Sequence, residues 1–238
     1  MKAAGRSDPG KIRNKNEDNY SIRQKPYPIL AVADGMGGHA AGDVASSIVI
    51  DMVEKYEFPE NNIDNNVMKD IVNLANKEVI KKGENNPEYQ GMGTTLSVGA
   101  IVDQKLYYGH VGDSRIYLHR NESLQKISAD DSLVAQMLES GEISKQEAFQ
   151  HPRSNVLTQA IGLEENLDIE TGNLELNSDD LLLFCTDGLT DMIPENKIET
   201  IISELNKKQV EKVCEHLLEN ALAAGGSDNI TIVAGWID

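Results

Sequence analysis

The spacing of apolar residues changes along the chain from a helical period to a strand period, and this change constrains the fold most. In Asp43–Tyr56 and Asp64–Lys82, apolar residues recur three and four positions apart, as on the buried face of a helix. From Leu96 to Val102 they alternate with smaller or more polar neighbours, which indicates a strand with one buried face. We therefore expect a pair of helices followed by sheet.

Further strand-like runs lie near both ends of the chain and directly after the alternating segment. The strand-like runs are Tyr20–Arg23, Ile29–Ala33, Leu106–His110, Ser114–His119, Ile169–Leu174, Leu181–Cys185 and Ile230–Trp236, whereas Glu195–Ser203 and Gln209–Ala224 return to helical spacing. Strands that cluster in sequence and are joined by short turns predict antiparallel sheet with segregated helices, an α+β fold. The pattern also predicts an antiparallel meander over residues 94–119, with a turn at Asp103-Gln104, and a helix stop at Gly83.

Residues 130–162 interrupt the strand pattern with polar sequence and short helical pieces such as Ser132–Glu139. Insertions of this length serve as lids and binding loops or as surface elaboration, and the sequence leaves both open. No internal repeat divides the 238 residues, and a hydrophobic content of 39% is enough for a sizeable core. We expect one domain over residues 1–238 that carries this inserted segment.

The charge balance excludes several classes of protein. Asp and Glu number 39 against 22 Lys and Arg, which gives a formal net charge of −17. Such a surface repels nucleic-acid phosphates and anionic membranes. The apolar runs are far shorter than the roughly 18 residues of a membrane span, the first residues lack a signal-peptide pattern, and there are 2 cysteines. We expect a monomeric cytoplasmic protein with reduced, buried cysteines.

Four aspartates share one local context, in which an apolar run ends at a turn that contains glycine. They are Asp34, Asp113, Asp187 and Asp228. For each one alone, the alternative is an ordinary β-turn, since Asp-Gly pairs favour turns. As a set, carboxylates gathered at strand ends repel one another unless a hard cation such as Mg²⁺ or Mn²⁺ neutralises them. Gly35 can add a backbone carbonyl as a further metal ligand.

The segment before the second strand-like run adds Arg13, Glu17 and Asp18. A guanidinium binds two phosphate oxygens in bidentate fashion, whereas the alternative for Arg13 is a surface ion pair with Glu17 or Asp18. The sequence lacks the histidine and cysteine spacing of zinc sites. It also lacks the Cys-x5-Arg and Asp-x-Asp nucleophile motifs, which disfavours a covalent phosphoenzyme and leaves attack by metal-activated water.

Six segments, taken in order, resemble the motifs of one protein family. They are Arg13-x-x-Asn16-Glu17-Asp18, Ala33-Asp34-Gly35-Met36-Gly37-Gly38-His39, Gly93-Thr94-Thr95, Gly112-Asp113-Ser114-Arg115, Cys185-Thr186-Asp187-Gly188-Leu189 and Asp228-Asn229-Ile230-Thr231. The family is that of the metal-dependent protein phosphatases of the 2C type, in particular its compact bacterial serine/threonine phosphatases. The resemblance implies an antiparallel β-sandwich flanked by α-helices on both sides. It further implies hydrolysis of phosphoserine and phosphothreonine on proteins, in opposition to a cognate serine/threonine kinase.

The same resemblance implies roles for individual residues around two Mn²⁺ or Mg²⁺ ions. The implied metal ligands are Asp34, Gly35, Asp187, Asp228, Asp18, Glu17 and Asp113. Asp34 would bridge the two ions, and Asp113 with Asp187 resembles the ligand pair of a third, weaker ion. Arg13 would hold the substrate phosphate while a hydroxide produced at the metals attacks phosphorus in line.

Two departures from the family pattern concern the proton donor and the start of the inserted segment. The position after Asp34-Gly35, a histidine in some relatives, is Met36, so His39 is the nearby candidate donor, with a structural role in its loop as the alternative. The segment begins with Asp130-Asp131-Ser132 where the family usually has Asp-His-Ser.

Phosphatases dedicated to an anti-sigma-factor antagonist generally lack this segment. Such an enzyme, or a catalytically silent metal-binding scaffold, is the alternative function.

Overall fold

The computed structural model describes residues 1–37, 41–60, 62–149, 151–205 and 209–238. The strands are β1 (Lys2–Asp8), β2 (Asn19–Arg23), β3 (Ile29–Ala33), β4 (Gly35–Met36), β5 (Gly93–Thr94), β6 (Leu96–Val102), β7 (Lys105–Val111), β8 (Arg115–Arg120), β9 (Ser123–Lys126), β10 (Glu170–Glu175), β11 (Leu181–Cys185) and β12 (Ile230–Trp236). The helices are α1 (Gly42–Lys55), α2 (Asn65–Asn85), α3 (Leu133–Glu139), α4 (Lys145–Phe149), α5 (Asp187–Thr190), α6 (Glu195–Glu204) and α7 (Val210–Ala224).

Two five-stranded antiparallel sheets pack face to face and carry helices on their outer sides. Sheet I has the order β10-β7-β6-β3-β2, and sheet II has the order β1-β12-β11-β8-β9. Leu30 and Leu106 of sheet I pack with Phe184 and Val233 of sheet II in the core between the sheets. Helices α1 and α2 cover the other face of sheet I, while α6 and α7 cover that of sheet II. The predicted α+β sandwich with helices on both sides is confirmed.

Helix α2 shows where the sequence signals for helix ends hold and where they fail. Asp64 caps its start, accepting hydrogen bonds from the backbone N–H groups of Asn66 and Val67 at 2.9 and 3.1 Å. The predicted stop at Gly83 is wrong, because the helix continues to Asn85. It ends where Pro87 follows, since the residue before a proline is disfavoured in helical conformation.

The predicted meander over residues 94–119 is wrong in its third strand. β6 and β7 form the expected hairpin, with positive φ at Asp103 and Gln104 in the turn. β8, however, pairs with β9 and β11 in the other sheet. The chain crosses between the sheets at residues 112–114, where Gly112 has φ +110°. Both β7 and β8 are buried at this crossing, so the alternation of apolar residues did not indicate which sheet each strand joins.

Strand β1 was not predicted, because Lys2–Asp8 lacks an apolar alternation. It is held instead by antiparallel pairing with β12 along its whole length, from Lys2 opposite Trp236 to Asp8 opposite Ile230. None of the helices in the described ranges is both long and apolar enough to cross a membrane.

Candidate functional site

The strand register of sheet I brings three predicted site aspartates to one end of the sheet. The first residue of β2 pairs with the last residue of β3, and the first residue of β6 pairs with the last residue of β7. Because β3 also pairs antiparallel with β6, these strand ends lie side by side. Asp18 directly precedes β2, Asp34 directly follows β3, and Asp113 lies just beyond β7.

Sheet II presents two further aspartates at the matching end of the sandwich. The last residue of β11 pairs with the first residue of β8 and with the third residue of β12. Asp187 follows β11 and Asp228 precedes β12, so both lie at this edge. The hydroxyl of Thr186 donates a 2.9 Å hydrogen bond to Oδ2 of Asp18, which ties the aspartates of the two sheets together.

Two glycines of the site motifs are required by close backbone approaches. A Cβ on Gly35 would lie 2.2 Å from the carbonyl oxygen of Gly42 and 2.5 Å from that of Glu17. A Cβ on Gly188 would lie 1.9 Å from the carbonyl oxygen of Asn229. Glycine at these positions lets α1, the N-terminal loop and the turn before β12 converge on the aspartates.

Backbone hydrogen bonds fix Asp34 and leave its carboxylate to face the other aspartates. Its N–H donates to the hydroxyl of Thr95 at 2.9 Å. Its carbonyl accepts from the Thr95 N–H at 2.9 Å and from the Thr94 hydroxyl at 2.8 Å. The Thr95 hydroxyl is also 2.7 Å from that of Ser114. The Gly-Thr-Thr motif therefore positions a site residue, a role that its sequence did not reveal.

Burial and mutual repulsion raise the pKa of four site carboxylates, those of Asp18, Asp34, Asp113 and Asp187. The pKa of Asp187 rises to about 7, chiefly because burial disfavours its charge and then because Asp191 and Asp228 lie near. Burial also raises the pKa of Asp18 to about 7, against the lowering effect of its hydroxyl hydrogen bonds. Asp191, four residues after Asp187, was missed in the sequence analysis, although the i,i+4 spacing places both on one side of a helical turn.

Asp34 and Asp113 show the same behaviour. Burial and then the charges of Asp18, Asp187 and Asp113 hold the pKa of Asp34 well above its ordinary value. Burial and then the charges of Asp187 and Asp130 do so for Asp113. Hence the aspartates that the sequence singled out form one electrostatically coupled cluster.

The cluster contains oxygen atoms that a divalent cation would satisfy. Among the described residues, Oδ1 of Asp18 and Oδ1 of Asp187 are buried without a hydrogen-bond partner. A cation there would remove both the unpaired oxygens and the repulsion that raises the pKa values. Within the same residues, no three His, Cys, Asp or Glu side chains are arranged to hold an ion by themselves. Mg²⁺ needs no such cage, since it is usually bound by one or two carboxylates and retains several waters.

Arg13 lies beside the cluster with its side chain 56% exposed. Its Nη2 is 2.7 Å from Oδ2 of Asp228, so the alternative of an ion pair with Glu17 or Asp18 named the wrong partner. Hydrogen bonding to Asp228, with smaller effects of Asp34 and Glu17, raises the pKa of the guanidinium. An exposed, always charged guanidinium at the rim of the carboxylates is suited to bind phosphate.

Asn229, which the sequence analysis quoted without a role, holds the N-terminal loop on the site. Its Nδ2 donates to the carbonyl oxygens of Pro9 and Lys15 at 3.0 and 2.9 Å, and its Oδ1 accepts from the Glu17 N–H at 2.8 Å. The candidate proton donor His39 lies outside the described residues.

Clustered, partly buried carboxylates with unpaired oxygens beside an exposed guanidinium are the groups that a metal-dependent phosphoryl hydrolase requires. The family model of protein phosphatase 2C matches residues 12–224 of the chain. The chain is 37% identical to the serine/threonine phosphatase stp of Listeria monocytogenes over 240 residues, which cover 98% of this chain and 94% of that protein.

Two solved structures of serine/threonine phosphatases also superpose closely on this chain. The crystal structure of serine/threonine phosphatase Stp1 from Staphylococcus aureus superposes with a TM-score of 0.93 and 31% identity, covering 100% of this chain and 95% of that one. The catalytic domain of the serine/threonine protein phosphatase PstP, in complex with two manganese ions, superposes with a TM-score of 0.89 and 32% identity, covering 100% and 98%.

The chain therefore belongs to the protein phosphatase 2C family. The family resemblance drawn from the six motifs is confirmed, and so is the serine/threonine phosphatase activity that it implied. Members of this family use divalent metal ions.

Proposed function

We propose that the carboxylate end of the sandwich binds two Mn²⁺ or Mg²⁺ ions and hydrolyses phosphoserine and phosphothreonine monoesters on proteins. The observation that carries this proposal is the partly buried aspartate cluster, whose unpaired oxygens and raised pKa values call for divalent cations. The proposed ligands are Asp34, Gly35 through its carbonyl, Asp187, Asp228, Asp18, Glu17 and, for a third ion, Asp113. When bound, such ions supply a hydroxide nucleophile at neutral pH and stabilise charge on the phosphoryl group.

The residues of this chain orient the substrate around that centre. Arg13 would bind the phosphoryl oxygens through the guanidinium N–H groups that are not bonded to Asp228. Asp34 faces carboxylates from both sheets, which suits it to bridge two ions. His39 remains the proposed proton donor for the leaving hydroxyl.

We further propose that the chain is one catalytic domain over residues 1–238, with residues 130–162 as an insertion beside the site. A hydrogen bond from the Gly112 N–H to the Asp131 carboxylate supports this placement. We propose a monomer that acts in the cytoplasm against a cognate serine/threonine kinase. Cys185 and Cys214 are free and buried, as suits a reducing compartment.

The test is phosphate release from phosphothreonine and phosphotyrosine peptides after EDTA treatment, and then with Mn²⁺ or Mg²⁺ restored. We expect release that depends on the metal, favours phosphothreonine, is lost in Asp34→Asn and is retained in Asp168→Asn, which changes an exposed aspartate. Release from a phosphorylated anti-sigma-factor antagonist alone would favour the dedicated enzyme. Metal binding without any release would favour the silent scaffold.

A further inference from the structure

The inserted segment, residues 130–162, is attached at one end to the turn that carries Asp113 and at the other to Thr94 of β5, which bonds Asp34. At its far end, Ile161 exchanges two backbone hydrogen bonds with Thr94, at 3.0 and 2.9 Å. The Thr94 hydroxyl in turn donates to the carbonyl of Asp34. At its start, the segment contacts Gly112, before Asp113, and Arg115, after it, and these two contacts form the attachment.

The first part is a reciprocal pair of hydrogen bonds between Asp131 and Gly112. The Asp131 N–H donates to the Gly112 carbonyl at 2.8 Å, and the Gly112 N–H donates to Oδ2 of Asp131 at 2.8 Å. The Asp131 carboxylate is not a helix cap, because Ser132 accepts the hydrogen bond at the start of α3. Asp131 thus satisfies both backbone polar groups of the residue that precedes Asp113.

Gly112 depends on these bonds for a fixed conformation. Its φ of +110° lies in the region that favours glycine, and a Cβ would lie 2.5 Å from Cγ2 of Thr95. Since glycine has no side chain to pack, Gly112 itself is held through its amide and carbonyl groups. Nε2 of the buried His110 is 3.0 Å from the same carbonyl oxygen.

The second part is an ion pair between Asp130 and Arg115, which follows Asp113 in the chain. Nη2 of Arg115 is 2.8 Å from Oδ2 of Asp130, and its Nε is 3.1 and 3.0 Å from the two carboxylate oxygens. Consecutive aspartates at the start of the inserted segment therefore hold the residue before Asp113 and the residue two positions after it. Asp113 itself is 8% exposed between them.

We propose that Asp131 is a positioning residue for Asp113, which fixes the Gly112 turn and couples the inserted segment to the carboxylate site. The inference rests on the proposed function, in which Asp113 is part of the metal centre. Replacing the carboxylate leaves the N–H of Gly112 without its partner, so that only the bonds of its carbonyl to the Asp131 N–H and to His110 still hold this glycine.

The kinetic test compares Asp131→Ala and Asp131→Asn with Asp168→Ala, a control that removes an exposed carboxylate just beyond the inserted segment. For Asp131→Ala we expect kcat to fall at least roughly tenfold while KM changes less than about twofold. The reason is that a displacement of Asp113 by less than about 1 Å disturbs the reacting groups more than it disturbs substrate binding. Asn keeps an oxygen acceptor of the same size without its charge, so kcat should fall only roughly two- to threefold. Asp168→Ala should match the wild type.

A second readout is hydrogen exchange of the Gly112 amide by NMR in the full chain, with melting temperatures to verify folding. We expect exchange at least roughly tenfold faster in Asp131→Ala, a smaller rise in Asp131→Asn and no change in the control. Wild-type kcat or wild-type Gly112 exchange in Asp131→Ala overturns the proposal. If that variant does not fold, wild-type values of both quantities in Asp131→Asn overturn it. A wild-type protein that releases no phosphate contradicts the proposed function instead, and Gly112 exchange then decides alone whether Asp131 holds the turn.

Discussion

At the scale of the residue, the site is built from carboxylates that destabilise one another. Asp34 and Asp187 interact closely enough to perturb each other, and both have raised pKa values because of burial and nearby charge. In the absence of cations, one proton shared by the pair relieves the repulsion of two adjacent negative charges. Divalent ions would take the place of that proton.

Asp187→Asn should abolish phosphatase activity and yet stabilise the metal-free protein at pH above about 7. The folded pKa of about 7 exceeds the ordinary 3.8, so ionised Asp187 opposes folding at high pH, and the neutral amide removes this cost. We expect the melting temperature in EDTA near pH 8 to rise by roughly 2–4 °C for each kcal/mol recovered. Turnover above half of the wild-type value would refute the assignment of Asp187.

Arg13→Ala should raise KM for a phosphothreonine peptide roughly tenfold with a smaller effect on kcat, because the guanidinium binds the phosphate in ground and transition states alike. Arg13→Lys should restore binding only partly, since an ammonium cannot bind two oxygens in a planar fork. Steady-state kinetics measure both. Unchanged kcat and KM in Arg13→Ala would reduce Arg13 to a surface partner of Asp228.

At the scale of the element, the loop between β1 and β2 has no regular structure and still carries site residues. Its shape comes from Asn229, which bonds three backbone groups of the loop from the turn before β12. The backbone N–H of Lys11 adds a 2.7 Å bond to the Gly226 carbonyl. A side-chain amide replaces the ladder that a strand or helix would provide.

Asn229→Ala should destabilise the protein by about 3 kcal/mol, since three hydrogen bonds of about 1 kcal/mol each are lost at a buried position. This corresponds to a fall in melting temperature of roughly 6–12 °C in a protein of this size. Differential scanning calorimetry provides the measurement. The matched control is Asn85→Ala, at the exposed end of α2, for which we expect a change within about 0.5 kcal/mol. Equal melting temperatures of the two variants would contradict the role of Asn229.

At the scale of the whole molecule, two sheets with separate partner helices contribute their ends to one acidic centre. Asp18 and Asp34 come from sheet I, Asp187 and Asp228 come from sheet II, and Asp113 lies in the link between them. The negative charge of these carboxylates is concentrated at one end of the sandwich, in a protein whose formal net charge is −17. The stability of the molecule is thereby coupled to pH and to divalent ions.

The metal-free protein should lose stability as pH rises from about 6 to about 8. In the folded protein the pKa values of Asp18 and Asp187, about 7, lie above the ordinary 3.8. The contribution of these two groups to the free energy of unfolding is therefore fully present below about pH 3.8 and is lost as pH rises through about 7. Mn²⁺ should raise the melting temperature more near pH 8 than near pH 6, because it binds the ionised carboxylates. A flat profile in EDTA, or an equal Mn²⁺ effect at both pH values, would contradict this prediction.

Much of the secondary structure could be predicted from the sequence, because the spacing of apolar residues along the chain reflects which side chains are buried. The strands with the predicted bounds are Ile29–Ala33, Leu181–Cys185 and Ile230–Trp236, since each is a run of residues that are apolar, apart from Thr231, and buried on both faces. The continuation of α2 beyond Gly83 to Asn85 was missed, because a glycine signals a helix stop where the backbone adopts the left-handed conformation, which Gly83 does not.

The sequence by itself determined the α+β class and the family and pointed to Asp34, Asp113, Asp187 and Asp228, because periodicity and short motifs are local properties of the chain. Tertiary structure alone decided that β8 joins the other sheet, that Arg13 pairs with Asp228 and that Asn229 holds the N-terminal loop. Arg13 and Asp228 are 215 positions apart. Contacts over such separations depend on strand register and sheet packing, which arise only when the whole sandwich closes and buries both sheets together.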